Sequence, residues 1–201
     1  MMKLVGPWFS GPTRRVGITL KLLGMPFEHV PLHAYLQRDQ VRAFSPMGKV
    51  PALVLDDGRT LYDSSNIIDY LHELVGPERA LLAPAGALRH DALHHIGIAN
   101  AIYGKLGNLY DESLRPPAAQ LDDLKTLWTA QATTGLGMIE AAVGKGWLVG
   151  GALSQADIFA VIVYQTAALA VLPDVVNARA YPGLNGLAQR AMRLPAFAET
   201  V

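Results

Sequence analysis

The sequence predicts an α/β layer over residues 1–77, a linker over residues 78–86 and an all-helical unit over residues 87–201. Three observations predict this division. Short β-prone runs alternate with helical periodicity up to Leu74. Asp57-Gly58 separates two such runs, the strongest short-range hairpin signal. Beyond Gly86 the strand signals vanish while the helical spacing continues.

Taken in order, residues 3–6 form a first strand. Residues 13–23 carry Val16, Leu20 and Leu23 at helical spacing, and Gly24 stops the run. Phe27–Val30 is a second strand bounded by Pro26 and Pro31, and residues 37–44 make a short helix. Residues 52–55, the turn Asp56-Asp57-Gly58 and residues 60–62 read strand, turn, strand. A helix over residues 64–74 then sets Ile67, Ile68, Leu71 and Leu74 on one face. The order β-α-β-α-β-β-α needs a second layer to cover its sheet. Gly76-Pro77 and Ala83-Pro84-Ala85-Gly86 punctuate the linker. Residues 88–109 and 118–143 read as long helices split by Arg115-Pro116-Pro117, and Gly144-Lys145-Gly146 ends the second. A further helix over residues 154–172 opens on Ser154 and Asp157, a capping-box start, and residues 182–193 form a last helix. The most apolar stretch, residues 158–172, is shorter than the ~18–20 residues a bilayer requires, so it reads as a central buried helix.

Composition narrows the function classes. Apolar residues make up 51% of 201 residues and charged ones 17%, which excludes a disordered chain. Lys plus Arg and Asp plus Glu are 17 each, so no global charge draws the chain to nucleic acid or an anionic membrane. Cysteine is absent, which excludes disulfides, Cys-ligated zinc, iron–sulfur clusters and a cysteine nucleophile. No apolar h-region follows Lys3, so no signal peptide is expected and a cytoplasmic location is. His90 and His94 share a helix face with His95 beside them, but no third ligand follows at metal spacing and no metal is expected. Gly144-Lys145-Gly146 lacks the rest of a phosphate-binding loop.

Four segments carry a family resemblance. Ser45-Pro46-Met47-Gly48-Lys49-Val50-Pro51-Ala52-Leu53, followed by Leu61-Tyr62-Asp63-Ser64-Ser65-Asn66-Ile67, resembles the glutathione-site signature of cytosolic glutathione transferases. Ser10-Gly11-Pro12-Thr13-Arg14-Arg15-Val16 resembles the first helix start of their serine-type classes. Trp147-Leu148-Val149-Gly150 with Ser154-Gln155-Ala156-Asp157-Ile158 resembles the core helix of their second domain, and Arg193-Leu194-Pro195-Ala196-Phe197 their tail. The resemblance implies a thioredoxin-like N-terminal domain, an all-helical C-terminal domain, a homodimer, and glutathione as co-substrate without a metal.

The implied task is to bind glutathione and hold its thiol as a thiolate. A free thiol ionises near ~8.5, and lowering that by about two units takes about 2.7 kcal/mol of preference for the anion. A hydroxyl donor and the positive end of a helix supply energies of that order. By resemblance Ser10 is the donor, with Thr13 the alternative; a plain N-cap role also suits Ser10. No tyrosine precedes Tyr35, which counts against a tyrosine-type site, and the lack of cysteine excludes an enzyme–glutathione mixed disulfide. The resemblance implies that Val50-Pro51 is cis and that the Val50 backbone pairs with the cysteinyl unit; an ordinary trans proline at a strand start is the alternative. Asp63 and Ser64 open a helix where the γ-glutamyl group would bind, or cap that helix, or both. Lys49 is placed for the glycyl carboxylate, or is simply solvated.

Trp8, Phe9, Tyr103, Leu106 and Tyr110 are the candidates for a second pocket taking a small hydrophobic electrophile, with core or dimer interface as the other reading. Arg14 and Arg15 sit in a first helical turn against the dipole preference, where an acidic partner or the neighbouring domain would account for them. The leading expectation is a detoxifying transferase that conjugates glutathione to such electrophiles. Two rivals stand beside it. One is a glutathione-dependent isomerase of an unsaturated diacid, using Arg14 and Arg15. The other is a non-catalytic binding module whose site Trp8 and Phe9 would fill.

Overall fold

The short apolar runs of the first 62 residues pair into one four-stranded sheet. A computed structural model describes residues 1–201. Strands β1 (Met2–Val5), β2 (Phe27–Val30), β3 (Ala52–Val54) and β4 (Thr60–Tyr62) lie in the order β2-β1-β3-β4. β1 runs parallel to β2, with Leu4 opposite His29, and antiparallel to β3, with Leu4 opposite Leu53. β3 and β4 form the hairpin that Asp57-Gly58 predicts. Helices α1 (Gly11–Leu22), α2 (Arg38–Arg42) and α3 (Ser64–Val75) complete the predicted order. Leu4 and Leu53 from the sheet, Val16 and Leu20 from α1, and Ile67 and Leu71 from α3 share one core, so sheet and helices bury each other's apolar faces. The Val50-Pro51 peptide is cis.

The chain divides into two compact units, residues 1–84 with 192–201, and residues 85–191. The break falls between Pro84 and Ala85. The C-terminal ten residues lie with the first unit, whereas the expected helical unit ran on to Val201. The cause is local. Short helix α8 (Pro195–Ala198) buries Phe197, and Glu199 pairs with Lys21 of α1 at 2.6 Å.

The second unit holds α4 (Ala87–Ser113), α5 (Asp122–Ala142), α6 (Gln155–Thr166) and α7 (Pro182–Ala191). The predicted helix over residues 118–143 starts later, at Asp122. Residues Pro117–Ala119 form a 3₁₀ turn instead, and the buried Glu112 carboxylate accepts from Leu121 N at 2.7 Å. Asp122 and Asp123 then suit the positive helix end. The predicted helix over residues 154–172 changes at Ala167 into a π-helical turn, Ala167–Val171, before Pro173. Residues 155–164 of α6 are buried throughout, as a central helix should be, and no helix is long and apolar enough to cross a membrane. α7 is capped by a distant group: both Glu140 oxygens accept from its first amides, Gly183 N and Leu184 N, at 2.7 Å each.

The capping box forms as Ser154 and Asp157 predict. The Asp157 carboxylate accepts from Ser154 N, Ser154 Oγ and Leu148 N at 2.9, 2.8 and 2.7 Å. Burial pushes this carboxyl above its ordinary range, and the hydrogen bonds oppose that push. Asp157→Ala removes a cap and leaves the Leu148 amide without its acceptor. The expected loss is about 2–3 kcal/mol, read as a lower denaturant midpoint in urea unfolding.

Candidate functional site

Gly6 ends β1 and is the point where three segments of the first unit meet. Its φ of +133° belongs to the region that glycine occupies without strain. Its N–H donates to Val30 O at 2.9 Å, and its carbonyl accepts from His29 Nε2 at 2.8 Å. A Cβ here would sit 2.3 Å from Thr13 Oγ1 and 2.9 Å from Val50 Cβ. The absent side chain therefore lets α1 and the cis-proline segment approach the end of β1 together.

Ser10 is the N-cap of α1. Its Oγ accepts from Thr13 N at 3.5 Å, the long limit of such a bond. This bond uses an oxygen lone pair and leaves the O–H hydrogen to donate elsewhere. Thr13 itself is 0% exposed, and its Oγ1 is buried without a hydrogen bond. Of the two hydroxyls, only that of Ser10 lies in a partly exposed residue. The two aromatic residues before it part company. Trp8 stacks on His29 at 3.7 Å and presses on Gly17, where a Cβ would come within 2.4 Å of its ring. It packs against the core of the sheet, which counts against a place in a second-substrate slot. Phe9 is 56% exposed and stacks loosely on His33 at 6.4 Å.

On the other side of the site, Asp63 caps α3 and accepts from Ser65 N at 2.8 Å. Its φ of 65° is the one positive value outside glycine, a strained setting for an aspartate. Ser64 is buried behind it, and Lys49 is exposed. Arg15, only 3% exposed, reaches the same turn: its Nη1 donates to Ser65 Oγ at 3.4 Å, and it attracts Asp63. Arg14 is also buried, with Nη2 3.8 Å from Met192 Sδ. Burial lowers both guanidinium groups to about 10, which leaves them cationic at neutral pH. Arg15 answers the puzzle of a cation near the start of α1, since its charge meets Asp63 at the N-cap of α3. The sequence held a signal for this, the misplaced cation, but nothing to name its partner.

Comparison with known proteins places this arrangement. Residues 4–79 match the family model described as glutathione S-transferase, N-terminal domain. A maleylacetoacetate isomerase of Pseudomonas aeruginosa is 30% identical over 98% of this chain and 93% of that protein. A glutathione S-transferase of Escherichia coli O157:H7 is 31% identical over 75% of each. The chain belongs to the glutathione S-transferase family. A glutathione S-transferase of Methylobacterium radiotolerans, solved with glutathione sulfonate, superposes with a TM-score of 0.92 at 26% identity, covering 100% of this chain and 94% of that one. The sheet with its helices, followed by a helical unit, is the thioredoxin-like and all-helical pair of glutathione S-transferases.

In this member of the family, the first unit brings together Ser10, Thr13 and Val50 around Gly6, and Asp63, Ser64 and Arg15 around the start of α3. The second unit holds the other expected pocket residues. Tyr103 and Tyr110 are half-buried, and the Tyr103 ring lies 6.3 Å from that of Phe159. Leu106, expected beside them in the slot, is 1% exposed and belongs to the core. It lies on the same buried stripe of α4 as Ile102 and Leu109. His94 and His95 contact each other at 5.4 Å, and no group of three or more histidine and acidic side chains is arranged to hold a metal ion.

Gly6→Ala combines an unfavourable φ with two close contacts. It is expected to cost at least about 2 kcal/mol, seen as a fall in thermal midpoint and in soluble yield relative to wild type.

Proposed function

We propose that this protein is a serine-type glutathione transferase that conjugates the glutathione thiolate to small hydrophobic electrophiles. The observation that carries the reading is the setting of Ser10: a helix-capping hydroxyl, partly exposed, with its hydrogen still to donate. A charge-assisted hydrogen bond contributes about 1.5–3 kcal/mol and a helix N-terminus about 0.3–1 kcal/mol. Together they meet the roughly 2.7 kcal/mol that a two-unit fall in thiol pKa requires. The thiol proton leaves to solvent, Ser10 donates to the sulfur anion, and the sulfur attacks the electrophilic carbon, forming the C–S bond as the leaving group (halide, for an aryl halide) departs with its bonding pair. In this reading the Val50 backbone beside Pro51 pairs with the cysteinyl unit. Asp63 accepts from the γ-glutamyl ammonium, Ser64 and the α3 amides hold its carboxylate, and Lys49 faces the glycyl carboxylate. Phe9 is the residue of the first unit that we assign to the electrophile, and a second copy of the chain is the expected partner. A related solved structure supports the ligand, since the Methylobacterium protein was crystallised with glutathione sulfonate.

The isomerase reading draws on one observation, the Pseudomonas relative aligned over nearly the whole chain. Against it, Arg14 and Arg15 are buried and engaged within the first unit, where they do not present themselves to a diacid. The binding-module reading loses force because Trp8 is packed on His29 and Gly17.

Ser10→Ala decides the first point. Turnover of an aryl halide near pH 6.5 is expected to fall roughly 30- to 100-fold, with the glutathione Kd changed by no more than about threefold. Parallel loss of both would make Ser10 a mere contact for the ligand. Mass analysis of the thiol after turnover separates the two enzymes: a transferase consumes glutathione into a thioether, and an isomerase of an unsaturated diacid returns it unchanged.

A further inference from the structure

The loop of residues 6–10 carries Ser10 and has no strand or helix of its own. Its position is nevertheless determined, and one side chain from the neighbouring strand β2 holds it twice. His29 Nε2 lies 2.8 Å from the Gly6 carbonyl, which can only accept, so Nε2 bears the hydrogen and donates it. The same imidazole lies almost flat on the Trp8 indole, with 3.7 Å between centroids and 16° between planes. The indole also meets α1 at Gly17, where a Cβ would fall 2.4 Å from a ring atom. Trp8 thus touches both the imidazole of β2 and the bare backbone of α1. Ser10 follows two residues later, and its own N–H donates to Pro7 O at 3.0 Å, which closes the loop on itself.

We propose that His29 is a positioning residue for the Ser10 hydroxyl: it fixes the loop of residues 6–10 through the Gly6 carbonyl and the Trp8 ring. The proposal rests on the reading of Ser10 as thiolate donor. Its reach follows from geometry. A hydrogen bond to sulfur is sensitive to displacements well under 1 Å, and displacements near that size cost on the order of 10²-fold in well-oriented reactions. The groups assigned to grip the tripeptide sit on other segments, residues 49–51 and 63–64. Loosening the loop should therefore weaken thiol ionisation while leaving the grip on glutathione in place. A residue that served stability alone would not separate the two.

The test uses the full-length protein with His29→Leu and His29→Gln, each first checked for folding by circular dichroism and thermal midpoint. Ionisation of bound glutathione is followed by thiolate absorbance against pH, glutathione Kd by calorimetry, and kcat for an aryl halide across the same pH range. His29→Leu loses both the donor and the ring. It is expected to raise the bound thiol pKa by about one unit, lowering kcat near pH 6 almost tenfold and leaving it nearly unchanged above about pH 8.5, with Kd measured at pH 6 within about twofold. His29→Gln keeps an N–H donor for the Gly6 carbonyl and is expected to lie between wild type and the leucine variant. Should the leucine variant fail to fold, the glutamine variant alone decides, by a measurable upward shift or none. A bound thiol that titrates as in wild type in the folded variants overturns the proposal. So does a parallel loss of Kd and kcat. A wild-type complex whose thiol ionises at its free value overturns the Ser10 reading itself, and the proposal with it.

Discussion

The close meeting of three chain segments at Gly6 is the constraint on which the rest of the site depends. β1 must end there, α1 must start a few residues later, and the cis-proline segment must pass beside both. No side chain fits: a Cβ would overlap Thr13 and crowd Val50. The φ of +133° turns the chain out of the sheet, while both backbone polar groups stay bound to β2. That turn delivers Ser10 to the N-terminus of α1, where a hydroxyl and the amides of a helix end act on the same point. Sequence, turn geometry and chemistry are linked here by the absence of a single methyl group.

Unfavourable terms gather around the same place. Thr13 Oγ1 is buried without a hydrogen bond, and Asp63 holds a backbone conformation that glycine would prefer. Arg15 is removed almost entirely from water, and the turn of Asp63 and Ser65 offsets part of that cost. Such terms persist where the surroundings over-determine them, and they cluster at working sites. In the helical unit, acidic side chains close three helix starts. Glu140 caps α7, Asp157 completes the box at α6, and Glu112 ties the start of α5. The strained Asp63 and the orphaned Thr13 hydroxyl lie in the first unit, and the helical unit leaves His95 Nδ1 buried without a hydrogen bond.

Local chemistry made much of the fold legible. Asp57-Gly58 foretold the β3–β4 hairpin because the turn needs those residues, and Ser154 with Asp157 foretold the α6 start because the box closes within one turn. Contacts between residues distant in sequence left no such trace. Nothing in residues 193–197 tells that Phe197 is buried with the first unit, or that Glu199 meets Lys21. Trp8 read as pocket lining because its partners, His29 and Gly17, are named only by folding. Leu106 read with Tyr103 and Tyr110 because helical spacing defines a stripe and not what covers it. In the site, Ser10, Val50, Asp63 and Ser64 were visible as a motif, whereas Arg15 was visible only as a cation in the wrong turn.

The central claim is that the protein binds glutathione as the thiolate. Calorimetric titration of wild type with glutathione at about pH 7.5, in buffers of different ionisation enthalpy, counts the protons released on binding. A thiol lowered by about two units from ~8.5 should release about 0.8 proton per site. Heat independent of the buffer would mean that glutathione binds as the neutral thiol, and no heat of binding in any buffer would remove the ligand from the account.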